Sequence, residues 1–269
     1  MNTWMTGALA TCRFELQRSF SLQRLTSLLG LILFPPLMTW MIILGGLRSP
    51  QGRVLEYVLF AIIFLVALVC LLSLLLWATP NVSGELEGKT WSFIAMRPGG
   101  RISSFLGKYL TAVLVSFVTT LFSLTLCVVV ASHYGALGGG SEPWEKWGIL
   151  TGIFAIACLV YGAILSMIGT WFTKRAMVVG AGYLIGVETV LSMVPAVISN
   201  FTMSYHLRRL GELWLGWFLP DEQLEYEIVF GQAGPTWFHL VCLGVAMVAA
   251  LVVGCVVVMN RQYAVGEET

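Results

Sequence analysis

Three groups of residues in this sequence have the types that chemistry requires. Glu188 stands in the apolar run 176–198, which holds no other charge. An ionisable side chain in hydrocarbon costs about 3 kcal/mol or more, so Glu188 must face a partner, a water-filled cavity or a seam between chains. It either lines a substrate path or is neutral and hydrogen-bonded to Ser or Thr on a neighbouring helix. Gly84, Gly88, Lys89 and Thr90 nearly spell a nucleotide-binding phosphate loop. That motif needs four residues between its glycines, so that backbone N–H groups wrap the phosphates. Only Glu85, Leu86 and Glu87 intervene here, two of them anionic, and an apolar helix rather than a strand precedes them; ATP binding is not expected. His133, His206 and His239 lie outside or at the outer edge of the apolar runs, with no H-E-x-x-H spacing and no nucleophile–base set. The 6 cysteines contain no C-x-x-C pair. They read as small buried hydrophobes, with no disulfide, metal site or catalytic residue implied.

The elements that position these residues follow from composition. The 269 residues are 58% hydrophobic and 11% charged, with a mean hydropathy of +0.85. Soluble domains carry roughly a quarter charged residues, so the chain lacks the side chains to coat a water-facing surface. A soluble enzyme is set aside. A net charge of +1 leaves no basic excess for nucleic acid. The Met residues are scattered singly and read as membrane packing.

Apolar runs of spanning length fall at 25–47, 57–78, 109–132, 149–172, 176–198 and 237–259. The expected fold is therefore an all-α membrane protein, a single domain of six transmembrane helices over 1–269. Residues 1–24 are too polar for a signal peptide. Met5, Leu9, Cys12, Leu16 and Phe20 share one helical face, which predicts an N-terminal helix in the membrane interface. With both termini cytoplasmic, the inner segments hold twice as many Lys and Arg as the outer ones, and the positive-inside bias fixes that orientation. Two loops exceed simple connectors: a cytoplasmic one, 79–108, and an outer one, 199–236, where Leu213, Trp214, Trp217 and Phe218 suggest shallow membrane contact. Pro35 and Pro36 interrupt hydrogen bonding in the first span and predict a kink.

In the cytoplasmic loop, Glu85 and Glu87 lead into Trp91, Phe93, Ile94 and Met96, and Arg97-Pro98-Gly99-Gly100 then breaks the run. Acids near a helix start and bases near its end complement its dipole, and Pro-Gly-Gly stops it. The result is a short amphipathic helix held out between two spans, a shape suited to docking.

This stretch resembles the cytoplasmic loop of the ABC-2 family, the permease subunits of ATP-binding cassette transporters. The matching residues are Glu85, Glu87, Thr90, Pro98, Arg101, Leu106, Gly107 and Lys108. Lys89 stands where the family commonly has Gly, and Leu86 where a charge is frequent. The resemblance implies a type V exporter-like permease with no ATPase site, and so no enzyme in itself. Two separate ABC ATPase subunits would carry ATP and Mg, and a second permease chain, identical or not, would complete the path. No cofactor would bind this chain. The ATPase-coupling residues would be Glu85, Glu87, Thr90, Trp91, Phe93, Arg97, Pro98 and Arg101, with Glu85 or Glu87 paired to a basic residue of the ATPase and Trp91 and Phe93 filling a groove. Family analogy sets the first and fifth spans at the permease seam, so Glu188 and the G-x-x-x-G pair Gly182 and Gly186 would lie on the substrate path or that seam. The resemblance further implies re-entrant or surface helices in the outer segment 199–236 before the last span, and a location in the bacterial inner membrane. The competing reading is an ion-coupled secondary transporter or channel using Glu188, which predicts internal symmetry; no repeat relates 1–135 to 136–269.

Overall fold

The computed structural model describes residues 3–19, 22–47, 54–87, 90–96, 99–137, 140–192, 200–215 and 234–263. Among them there is no strand, and five helices are long and apolar enough to cross a membrane. Hydrocarbon offers backbone groups no substitute partner, so runs of this composition close their hydrogen bonds internally as helices. The chain is an all-α membrane protein.

In chain order the helices are α1 (Thr3–Ser19), α2 (Leu22–Leu47), α3 (Val54–Ala78), α4 (Ser83–Glu87), α5 (Trp91–Ala95), α6 (Gly100–His133), α7 (Glu142–Trp171), α8 (Ala176–Tyr183), α9 (Met203–Leu215) and α10 (Thr236–Asn260). A tight 3-10 turn, Thr79–Asn81, prolongs α3, and a π-helical stretch, Leu184–Leu191, prolongs α8. The spanning helices are α2, α3, α6, α7 and α10. Helix α2 continues through Pro35 and Pro36. Of the expected span at 176–198, Ala176–Leu191 is a shorter apolar helix, and 193–199 fall outside the described residues.

Helix α6 is the post on which the others stand, packing against α1, α2, α3 and α7. Its 34 residues reach about 50 Å at 1.5 Å per residue, well beyond the ~30 Å hydrocarbon core. The surplus begins at Gly100, nine residues before the expected span. Gly99, at φ 72°, turns the chain into α6 through a left-handed conformation that glycine adopts without a steric penalty.

The N-terminal helix packs closely on α6. Gly7, Ala8, Thr11 and Cys12 face α6, where a Cβ on Gly107 would come within 2.6 Å of the Ala8 carbonyl oxygen and 2.7 Å of Thr11 Cβ. Cys12 is buried, whereas Leu9 and Phe14 point outward. The expected Met5–Phe20 stripe is thus divided. Small residues let the two backbones approach, and the bulkier Leu9 is left to the surroundings. Cys70, Cys127 and Cys158 are also buried, Cys242 and Cys255 half-buried, and all six thiols are free.

Gly107→Val forces its side chain into the α1 backbone, and a cost of about 1–3 kcal/mol follows from such overpacking. The thermal midpoint in detergent should drop and trypsin should cut sooner within α1. Gly152→Ala, which meets nothing within 4 Å, should leave both measurements unchanged.

Candidate functional site

At one end of the bundle the chain leaves α3 through the Thr79–Asn81 turn and enters α4 and α5, each of 5 residues. The expected amphipathic helix is therefore two single turns. They are held by one ammonium. Lys108, on α6, donates from Nζ to Glu85 Oε1 at 2.6 Å and to the Asn81 carbonyl at 2.9 Å, and lies 3.8 Å from Glu15 Oε1. Four elements converge on that nitrogen: α1, the turn after α3, α4 and α6. The Thr90 hydroxyl donates to the Glu85 carboxylate, and its backbone N–H donates to the Glu85 carbonyl at 3.0 Å. Glu85 is buried, so its charge serves contacts inside the chain. A cavity of about 400 Å³ opens beside these groups, bordered also by Ser27, Trp77 and Thr111.

The two loop aromatics face opposite ways. Trp91 is 3% exposed, packed with Val82, Phe105 and Val258, and its ring meets Tyr263 edge-on at 5.0 Å. Phe93 and Met96 are 67% and 74% exposed. A one-turn helix separates residues two apart by roughly 200°, which is why Trp91 turns inward and Phe93 outward. Arg101 donates to the Met259 carbonyl at 3.0 Å, satisfying a carbonyl at the C-terminal end of α10. Burial pushes the Tyr263 phenol above its usual value, opposed by Arg261 and Arg101. Glu87 ends α4; Arg97 and Pro98 lie outside the described residues.

Glu188 sits elsewhere, in the π-helical stretch, and is 3% exposed. The Tyr161 hydroxyl donates to Oε2 at 3.0 Å and the Tyr183 hydroxyl to Oε1 at 2.5 Å. Ser204 N–H donates to Oε2 at 2.9 Å, and Met203 N–H approaches Oε1 at 3.4 Å. The Ser204 hydroxyl donates to the Glu188 carbonyl at 2.7 Å. The carboxylate therefore caps the N-terminus of α9, where unpaired N–H groups and the helix dipole favour an acceptor. Of the Ser and Thr partners expected from sequence, Ser204 is present, but tyrosines from α7 and α8 supply the side-chain donors to the carboxylate. Tyr183 and Glu188 are five residues apart, a spacing that π-helical i→i+5 geometry draws together and α-helical geometry does not. Neither Gly182 nor Gly186 has an atom within 4 Å of an added Cβ, so their small faces approach no other helix among the described residues.

A pair of histidines ties α9 to α10. His206 Nε2 lies 2.9 Å from the Asn200 carbonyl, which can only accept, and so carries the proton. In the neutral ring Nδ1 then accepts, and His239 Nδ1 donates to it across 2.8 Å. Beside them Arg209 is buried, paired with Glu212 Oε2 at 2.8 Å and stacked on Tyr205, 5.4 Å from the ring centre. Trp214 packs against the core and Leu213 is exposed; Trp217 and Phe218 lie outside the described residues. Sequence reasoning missed this pair because 33 positions separate the rings and no short motif links them. Among the described residues no group of three or more His, Cys, Asp or Glu could hold a metal ion.

No family model matches the chain, and no curated protein is similar to it.

Two measurements address these clusters. Removing one member of a buried ion pair strands the other, at about 3–5 kcal/mol. Lys108→Met should therefore lower the thermal midpoint more than the double variant Glu85→Gln/Lys108→Met, and a cycle of the two single variants and the double checks the coupling. Burial holds His206 below the usual histidine value, against the raising pull of the Asn200 carbonyl and Glu188. The unfolded chain then binds a proton that the folded one refuses, so stability is full above about pH 6.5 and is lost as pH falls below it. The midpoint should fall between about pH 7.5 and 5.5, and by less in His206→Gln.

Proposed function

We propose that this chain is the membrane-spanning permease of an ATP-driven transporter whose ATPase subunits are separate polypeptides. The observation that carries the reading is the two-sided α5 turn. Its inner face, Trp91, is packed on α6 and on the end of α10, while its outer face offers Phe93 and Met96. A protein pressing on that outer face displaces an element already joined to two spans. Exposed aromatic and Met side chains are favoured anchors for such a partner. The likeness of the loop to ABC-2 permeases and the five apolar helices support the same reading.

In this account α4 and α5 form the coupling element on the cytoplasmic side. Ala176–Leu191 belongs to the remaining crossing of a six-span bundle with both termini inside. Glu85 acts through Lys108 to set the loop, and Phe93 and Met96 make the contact that sequence had assigned to Trp91 with Phe93. A second permease would stand against the bare Gly182 and Gly186 face. The transporter works outward from the bacterial inner membrane. The four donors that hold Glu188 favour an anchoring role for it over ion coupling.

Affinity-tagged chain recovered from native membranes should bring down an ATPase. Phe93→Asp should lower that recovery about tenfold or more while the chain stays monodisperse, and Phe201→Asp, an exposed aromatic just before α9, should not. Recovery of the intact chain without any ATPase, or unchanged recovery for Phe93→Asp, overturns the reading.

A further inference from the structure

Helices α3, α7 and α9 line a second cavity, of about 280 Å³ and open on one side, away from the loop. Each helix gives it one face. From α3 come Phe64 and Ala67, from α7 Phe154 and Ala157, and from α9 Leu207 and Arg208. On α9, Ser204, Leu207, Arg208, Gly211 and Leu215 recur at intervals of three and four, the stripe that one side of a helix presents. The walls are apolar apart from Tyr161, Ser192, Ser204 and Arg208. Those four are neighbours: Tyr161 and Ser204 share Glu188, Arg208 lies one turn beyond Ser204, and its Nη2 donates to the Ser192 carbonyl at 2.9 Å. The cavity thus has an apolar body and a single polar corner, which Arg208 lines with a guanidinium, the group with the best geometry for a carboxylate or phosphate, while the Glu188 carboxylate stays outside the lining, held by Tyr161 and Ser204. Its size is near the lower end of ligand sites, about 300–1,000 Å³.

We propose that this cavity binds an anionic amphiphile of the fatty-acid class, its chain lying between Phe64 and Phe154 and its acid head beside Arg208. A neutral apolar molecule would fill the body without using the corner. A second copy of the chain would have to enter a space walled on three sides by one protomer. The proposal deepens the permease reading by giving the class of molecule carried, and it rests on that reading for that step alone. Binding is independent of any ATPase.

The test uses the full chain in phosphatidylcholine nanodiscs, with radiolabelled oleate and oleyl alcohol as probes of equal length and different charge. Wild type should bind oleate about tenfold or more tightly than the alcohol. Arg208→Gln should lose that preference and still bind the alcohol, which also reports that the cavity is intact, and Arg208→Lys should keep part of it. Ala67→Phe, which fills the body, should weaken both probes. Equal binding of the two probes by wild type, or an unchanged preference in Arg208→Gln, overturns the proposal. So does a cross-link between two copies through Phe64→Cys that abolishes binding, since it makes the cavity an interface. Oleate binding without ATPase recovery from native membranes would retain the site and reject the permease reading.

Discussion

Where packing excludes water, nothing stands ready to replace a lost hydrogen-bond partner, so each buried polar group must find one in the chain. This constraint organises the centres around Lys108 and Glu188, as it does the buried Arg209 and the histidine pair. Around Lys108 a single ammonium collects a carboxylate, a carbonyl and a more distant second carboxylate. Around Glu188 a single carboxylate collects two phenols and two backbone N–H groups. In each case the ion is a hub, and the elements it joins are far apart in sequence. The Lys108 hub fixes α4 and the Glu188 hub the start of α9, whereas α1 is set chiefly by the close approach of Gly7, Ala8 and Thr11 to α6.

The two hubs differ in what they leave outside. At Lys108 the charges are turned inward, and the loop presents Phe93 and Met96, side chains whose exposure has no purpose within the chain. At Glu188 the helix it caps, α9, becomes a wall with a buried Arg209–Glu212 pair and a histidine bridge behind it and a mostly apolar cavity before it. One end of the protein thus offers a contact and another lines a space.

The long spans were legible in sequence because composition alone dictates them: uninterrupted apolar runs have only one way to satisfy their backbone. The loop between α3 and α6 was legible in part: its aromatics and Gly99-Gly100 marked a short helix and its end, but not its division into two single turns or the inward turn of Glu85. What sequence could not assign was direction over a single turn. Trp91 and Phe93 both read as anchors, and only the packing of Phe105, Val258 and Tyr263 around one of them distinguishes the two. In the N-terminal helix periodicity picks out the bulky residues, whereas the close approach to α6 is made by Gly7, Ala8 and Thr11, small side chains that a hydrophobic stripe does not mark. The partners of Glu188 were hidden by the π-helical winding, which changes the spacing at which side chains meet. The histidine pair had no local signal at all.

The length of α6 has a mechanical meaning. Between Tyr109 and His133 it contains neither glycine nor proline, the usual seats of bending, so this stretch is a stiff rod. Tyr109 stands at one end of it, just past Gly107 and Lys108. At the other, Tyr134 follows its last turn and accepts from the Trp40 indole at 3.1 Å. A tilt of about 5° about one end of that rod, roughly 37 Å long, carries the other end about 3 Å sideways. A small rotation at one end of the stretch is thus converted by leverage into a sideways displacement at the other, without any hinge between.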